Sequence, residues 1–193
     1  MAPVPRRPAR GGTLVLGGGF AGSWVARPLG KRGATIVNPD NFSLFTPLLP
    51  EAASGTVEPR HVVVPLRMMC PHADLLLGSV TEVDLEAKTA RATSLVGVVE
   101  LEYERLVVAL GAVSRTLPIP GLAEYALQFK TLADAILLRN HVLRRLEAAD
   151  AASTEADVQR QRNGVQGVRP VRAVELCGEL PQRALCNLIR LHG

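Results

Sequence analysis

Three glycines spaced as Gly17-x-Gly19-x-x-Gly22 constrain this chain more than any other feature, because they separate a predicted strand from a predicted helix. Residues 13–16 before them are apolar or β-branched, which is typical of a buried parallel strand. Residues 23–32 have helical spacing, and a glycine stop and a second β-branched run follow. This βαβ pattern predicts an α/β fold built on a parallel sheet.

Each glycine of the motif has a physical task in dinucleotide binding. Gly17 allows a tight turn, Gly19 lets a pyrophosphate approach the backbone, and Gly22 lets helix and strand pack closely. The first helical amides, including those of Phe20 and Ala21, offer unpaired N–H groups and the positive end of the helix dipole. The spacing therefore predicts a dinucleotide site in preference to a glycine turn without a ligand.

The pattern offers two residues for the contact with the ribose. A dinucleotide site usually has an acidic residue at the end of its second strand, and Asn38 occupies that position here. An amide still exchanges hydrogen bonds with hydroxyls, although it carries no charge. Asp40 is the alternative, and a plain turn role beside Pro39 is an equally good interpretation of it.

The net charge of +4 does not indicate nucleic-acid binding. The excess of arginine lies at the two ends of the chain, and no basic stripe interleaved with aromatic residues occurs between them. Cys70, Cys177 and Cys186 form neither a disulfide framework nor a C-x-x-C pair, which favours a reducing, cytoplasmic compartment. No stretch reaches the roughly 18 apolar residues of a transmembrane helix, and the histidines lack metal-ligand spacing.

A second set of motifs carries a family resemblance. Residues 106–112, Leu-Val-Val-Ala-Leu-Gly-Ala, followed by Pro-Ile-Pro-Gly at 118–121, resemble the second motif of flavoproteins that bind two dinucleotides. The run at 41–55, Asn-Phe-Ser-Leu-Phe-Thr-Pro-Leu-Leu-Pro-Glu-Ala-Ala-Ser-Gly, resembles the signature of type II NADH dehydrogenases, particularly the actinobacterial members. The similarity extends over about residues 14–149.

The resemblance implies a Rossmann-like, FAD-binding parallel sheet with a small antiparallel layer. It implies FAD as the cofactor, NADH as the co-substrate and a quinone as the electron acceptor. It also implies a peripheral place at the cytoplasmic face of the membrane. The residues that it adds to the cofactor site are Thr46, Pro47, Leu48, Val80, Ala109 and Gly111.

The sequence also departs from that family. Leu110 replaces the threonine of the Ala-Thr-Gly strand end, and Pro28 predicts a kink in the first helix, at a cost of about 3 kcal/mol. We expect a flexible N-terminus over 1–11 and an FAD-binding domain over 12–150. An atypical, partly disordered tail over 151–193 stands in place of the NADH-binding domain, with one short helix predicted near 182–191.

The composition of the tail predicts a chain shortened by a truncation or a frameshift, without the NADH-binding domain, the C-terminal flavin segment and the membrane-docking segment. Such a chain would be catalytically incomplete alone, and its uncovered sheet edge predicts self-association. Two other hypotheses stay open. One is a non-enzymatic remnant, and the other is a single-domain NAD-dependent dehydrogenase, although no tyrosine has a lysine four residues on.

Overall fold

The computed structural model describes residues 4–112, 118, 120, 126–152 and 154–166. The chain divides into two compact units. The first unit contains Met1–Phe45 and Val63–Ala112, and the second contains Thr46–Val62 and Val113–Gly193.

The first unit contains a seven-stranded sheet and a separate two-stranded sheet. The strands are β1 (Arg6–Pro8), β2 (Thr13–Leu16), β3 (Thr35–Asn38), β4 (Phe42–Leu44), β5 (Val63–Pro65), β6 (Asp74–Asp84), β7 (Thr89–Ser94), β8 (Gly97–Glu102) and β9 (Arg105–Val108). The large sheet has the order β1-β8-β7-β6-β3-β2-β9, and β4 pairs antiparallel with β5.

The large sheet confirms both parts of the predicted architecture. The strands β6, β3, β2 and β9 run parallel, whereas β6, β7 and β8 form an antiparallel meander. The two parts are continuous, because β6 is one strand of 11 residues. It passes from one part to the other between Leu77, which pairs with β3, and Gly78, which pairs with β7. A register shift between Val80 and Glu82 follows within the antiparallel part.

Two helices of the first unit cover one face of the parallel strands. They are α1 (Phe20–Leu29) and α3 (Leu66–Met69). Their side of the core contains Val15, Ala26, Ile36 and Cys70, all buried. Strand β2 is fully buried on both faces, as its continuous apolar run predicts.

Pro28 lies in the last turn of α1, so it does not kink the interior of the helix as predicted. The helix ends at Leu29 and continues as the 3₁₀ turn Gly30–Arg32. Proline has no N–H, so Pro28 cannot donate to the carbonyl of Trp24 as an ordinary helical residue would. The cost of the proline therefore falls at the end of α1, away from the glycine turn.

The N-terminal segment differs from the expectation of a flexible region. Residues Arg6–Pro8 form β1, which pairs in parallel with β8. Arg6 makes an ion pair with Glu100 of β8, and Arg10 makes another with Asp74 at 3.0 Å. These partners are more than 60 residues away in sequence, so a local pattern does not reveal them.

The continuous apolar run at 105–110 is typical of a buried strand, but β9 is not buried in this way. Among the described residues its one strand neighbour is β2, so it lies at an edge of the sheet. The side chains of Val108 and Leu110 are 65% and 61% exposed. Apolar β-branched residues are therefore a poor guide to burial where a strand has a neighbour on one side only.

The second unit contains the helices α2 (Leu49–Ser54), α4 (Leu132–Asp150) and α5 (Glu155–Gln166). The capping box of Thr131 and Asp134 begins α4. Helix α5 differs from the expected irregular tail, and its start is fixed by the Thr154 hydroxyl, which accepts from the Asp157 amide. The helix predicted near 182–191, with Cys177 and Cys186, lies outside the described residues.

Candidate nucleotide-binding site

Two glycines of the turn between β2 and α1 are required by packing. Gly17 has φ +99°, and its amide donates to the carbonyl of Val37 at 2.8 Å. A Cβ at Gly17 would overlap the carbonyl of Ala109, and one at Gly22 would overlap the carbonyl of Gly17. The tight turn and the close helix packing expected of these positions are therefore present.

Gly19 has a different environment. A Cβ built at Gly19 meets no atom of the described residues within 4 Å. Gly19 is also the N-cap of α1, so no side chain caps the helix there, and the first turn holds no acidic residue. The Ser23 hydroxyl points back to the carbonyls of Gly19 and Phe20. The positive end of α1 thus faces open space, and the residues present fit a bound phosphate group.

Both polar ends of Asn38 are engaged by the protein itself. Its Oδ1 accepts from the Gly18 amide at 2.7 Å, and its Nδ2 donates to the carbonyl of Asp40 at 2.8 Å. Asn38 therefore ties the glycine turn to the loop after β3. The carboxylate of Asp40 is exposed and has no hydrogen-bond partner among the residues that the structure describes. The exposed carboxylate of Asp40 therefore lies two residues after Asn38, which occupies the usual position of the ribose-binding acid.

The end of β9 closes the other side of the glycine turn. The Ala109 amide donates to the carbonyl of Leu16 at 2.8 Å. Gly111 has φ +71°, and a Cβ there would meet nothing within 4 Å. The structure therefore brings Ala109 to Gly17 and Gly22, as the two predicted motifs require, and leaves open space at Gly111.

Val80 lies on β6 beyond the last residue that pairs with β3. That pairing ends where Asn38 lies opposite Leu77. The side chain of Val80 packs, partly buried, against the core cluster that contains Leu14 and Leu16. Its side chain is thus a core element, and only its backbone remains for a cofactor contact.

An aromatic pair stands at the glycine turn, and its second member was not among the predicted site residues. The rings of Phe20 and Phe45 make an edge-to-face contact with their centroids 5.5 Å apart. Each side chain is 44% exposed. An aromatic residue in a proline-rich loop is the signal in the sequence that indicates Phe45.

The predicted flavin neighbours Thr46, Pro47 and Leu48 belong to the second unit, where they form a 3₁₀ turn directly before α2. Thr46 and Pro47 are exposed, and Leu48 is half-buried. One turn later, the Oε2 atom of Glu51 is buried and has no hydrogen-bond partner among the residues that the structure describes. A buried carboxylate oxygen without a donor is costly, and a ligand with an N–H or O–H group would satisfy it.

Cys70 is a core residue. It is 2% exposed, and its thiol donates to the carbonyl of Ser23 at 3.3 Å. Burial raises the pKa of the Cys70 thiol, ahead of the opposing effect of Arg27, so the thiol stays protonated. In the described part of the chain, no group of His, Cys, Asp and Glu side chains is arranged to hold a metal ion.

Known proteins resemble this chain over the residues that form the glycine turn and the strands around it. The family model for pyridine nucleotide-disulphide oxidoreductases matches residues 12–154. The chain belongs to this family. Its members are flavin-dependent oxidoreductases, and the match covers both predicted motifs.

Relatives of the chain carry more specific names. A probable mitochondrial NADH-ubiquinone oxidoreductase of Schizosaccharomyces pombe is 33% identical over 170 residues, which is 82% of this chain and 31% of that protein. The type II NADH:quinone oxidoreductase NdhA of Mycobacterium tuberculosis is 28% identical over 92% of this chain and 39% of that protein. The solved structure of Plasmodium falciparum NDH2 has a TM-score of 0.69 at 25% identity, over 83% of this chain and 32% of that one.

These comparisons confirm the resemblance to type II NADH dehydrogenases and the α/β fold. The chain spans about a third of the length of these relatives, from 31% to 39%, and matches their N-terminal portion. None of the helices in the described ranges has the length and hydropathy needed to cross a membrane.

Proposed function

We propose that this chain is the FAD-binding part of an NADH:quinone oxidoreductase. The observation that carries the proposal is the open space at Gly19, which lies at the uncapped, positive end of α1. A flavin dinucleotide brings a pyrophosphate to such a position, and the backbone amides from Gly19 to Gly22 would bind it.

In this proposal, Asp40 binds the ribose and Asn38 holds the turn. The amide oxygen and nitrogen of Asn38 already have partners in Gly18 and Asp40. A ribose that took these groups would break two hydrogen bonds. The exposed carboxylate of Asp40 offers acceptors to the ribose hydroxyls without that loss. The backbone of Val80, beyond the β3 pairing, is the proposed neighbour of the adenosine half.

Ala109 and Gly111 of the first unit are proposed neighbours of the flavin half. Thr46, Pro47 and Leu48, which belong to the second unit, are proposed as flavin neighbours on the family resemblance alone. Among these, the free space at Gly111 supports a close approach of the cofactor. Within the second unit, a buried oxygen of Glu51 has no donor among the described residues, and an N–H or O–H group of a ligand would satisfy it. The FAD itself supplies the redox chemistry, and the residues of the chain bind and orient it.

Brisk NADH oxidation is not expected of this chain alone. Hydride transfer requires a nicotinamide held against the flavin, and orientation of two reactants contributes about 7 to 11 kcal/mol. The sequence contains one G-x-G-x-x-G motif, which the proposal assigns to FAD. The cytoplasmic face of a membrane, implied by the type II family, is part of the same proposal.

The proposal is tested by purifying the chain gently and recording its absorbance together with its rate of NADH oxidation. Flavin absorbance with little NADH oxidation is the expected result. A folded, colourless protein that takes up no added FAD would favour the remnant hypothesis and contradict the proposal. Tight NADH binding without flavin would support the single-domain dehydrogenase instead.

A further inference from the structure

The rings of Phe20 and Phe45 form an aromatic pair at the start of α1, where the proposed pyrophosphate contacts use backbone amides only. The two rings meet edge to face, with their centroids 5.5 Å apart. Each side chain is 44% exposed, so much of its apolar surface stays open beside the glycine turn. A planar ligand group that packed against the pair would bury this surface.

Helix geometry directs Phe20 towards the nucleotide site. Phe20 is the first residue of α1 and directly follows the N-cap residue Gly19. Side chains of an α-helix tilt towards its N-terminus, so the ring of Phe20 lies towards the uncapped end of α1. A Cβ at Gly19 would enter space that no described residue occupies. The ring of Phe20 therefore borders the space proposed for the pyrophosphate.

Packing of the two-stranded sheet holds Phe45 at the same place. Phe45 directly follows β4, which pairs with β5. Immediately after β5, the amide of Leu66 donates to the carbonyl of Asn41 at 2.9 Å. The Leu66 side chain is buried against Gly18, where a Cβ would overlap its Cδ1 atom. The small sheet is thus packed on the glycine turn and brings the ring of Phe45 to that of Phe20.

The end of β9 adjoins the same helix start. A Cβ at Gly22 would lie 3.4 Å from the Cβ of Ala109, which is a proposed neighbour of the flavin half. The aromatic pair and the end of β9 therefore both border the first turn of α1. Asp40 and the backbone of Val80 are the proposed contacts of the adenosine half, so the flavin half is the part of FAD assigned to this first turn.

We propose that the aromatic pair packs against the isoalloxazine of FAD and makes the site selective for FAD over ADP. The inference rests on the proposed function and adds two specificity-determining side chains to it. The faces of phenylalanine rings carry partial negative charge, so they do not attract a phosphate group. The isoalloxazine is planar and largely apolar, and it gains contact energy from both rings.

Calorimetric titration with FAD and with ADP tests the inference, because ADP has the adenosine and pyrophosphate groups of FAD without the flavin. Phe45→Leu keeps an apolar side chain and removes the ring. It should weaken FAD binding about fivefold and change ADP binding by less than about twofold. Phe20→Leu should have the same effect. The double variant should lose little more than either single variant, since the two rings act as one surface.

The heat capacity change of binding gives a second readout. Burial of apolar surface makes this change negative, so in the wild type it should be more negative for FAD than for ADP. The difference should shrink in the Phe45→Leu and Phe20→Leu variants. Partial unfolding of a variant would weaken both ligands alike, so the ratio of the FAD and ADP affinities still reports on the aromatic pair.

Leu85→Ala is the matched control, because Leu85 is an apolar residue, 72% exposed, in the β6–β7 turn. It should leave both affinities at their wild-type values. Equal losses of FAD and ADP affinity in the phenylalanine variants, or an unchanged FAD affinity, would overturn the role of the aromatic pair alone. A folded wild type that binds neither nucleotide would contradict the proposed function itself.

Discussion

The glycines of the nucleotide turn are alike in sequence and different in physical role. At Gly17 and Gly22 a side chain would overlap backbone atoms, so the fold itself requires glycine. At Gly19 nothing stands within 4 Å, so the fold does not require the absence of a side chain, whereas a ligand would. The spacing of the motif predicted all three positions. It did not distinguish packing from binding, because that depends on which atoms lie across the turn.

A pair of alanine variants separates these roles. Gly22→Ala should lower the free energy of unfolding by about 2 to 4 kcal/mol, because its Cβ meets the fixed carbonyl of Gly17. Gly19→Ala should change it by less than about 1 kcal/mol, mainly through the weaker N-cap. Urea unfolding followed by circular dichroism gives both values. Equal stability losses in the two variants would contradict this assignment.

Asp40 and Asn38 give a second prediction. Asp40→Asn should weaken FAD binding about tenfold, because a hydrogen bond to a charged group is replaced by a neutral one. Binding of FMN, which lacks the adenosine ribose, should not change. Asn38→Asp should lower stability, because a carboxylate oxygen would face the carbonyl of Asp40. If FAD affinity were unchanged in Asp40→Asn but greatly reduced in Asn38→Asp, the ribose contact would be assigned to Asn38 and the prediction would be contradicted.

At the scale of secondary-structure elements, a row of charged side chains crosses four neighbouring strands of the large sheet. Arg6 of β1, Glu100 of β8, Arg91 of β7 and Glu82 of β6 are joined by successive ion pairs. The side chain of Glu100 is 8% exposed and lies between the two arginines. Their hydrogen bonds, that of Arg6 first, lower the pKa of Glu100 below its ordinary value, although burial opposes them.

The lowered pKa of Glu100 predicts a pH dependence. Its contribution to stability is fully present above the ordinary carboxylate pKa, and it is lost as the pH falls through the lowered pKa of the folded state. Glu100→Gln should therefore reduce stability at neutral pH and flatten the fall in stability at acidic pH. Urea unfolding from neutral to acidic pH measures both effects. Glu86→Gln, in the β6–β7 turn, should leave the profile unchanged, and a wild-type profile in Glu100→Gln would contradict the account.

The elements also show what a sequence can predict. Helix α4 and strand β2 carry their signals locally, in the capping residues at 131 and 134 and in four consecutive apolar or β-branched residues. Strand β1 depends on partners in β8, which local reading does not identify. The exposure of Val108 likewise follows from the number of neighbours that β9 has in the sheet. Local chemistry therefore predicted the glycine turn better than it predicted the edges of the sheet, while the binding role of that turn stays a prediction.

At the scale of the whole molecule, the edge of β9 predicts self-association. Its backbone has one strand neighbour among the described residues, and Val108 and Leu110 are mostly exposed beside it. An open apolar edge pairs readily with another chain. Size-exclusion chromatography should show species larger than a 20.6 kDa monomer, and Val108→Lys should shift them towards the monomer. A wild-type chain that stays monomeric at high concentration would contradict this prediction.

The central claim is that the uncapped start of α1 and the space at Gly19 bind the pyrophosphate of FAD. Calorimetric titration of the folded chain with FAD, beside the Gly19→Ala variant, tests it most directly. We expect saturable binding at one site in the wild type and binding at least about tenfold weaker in the equally folded variant. Absence of binding by the folded wild type, or equal binding by both proteins, would contradict it.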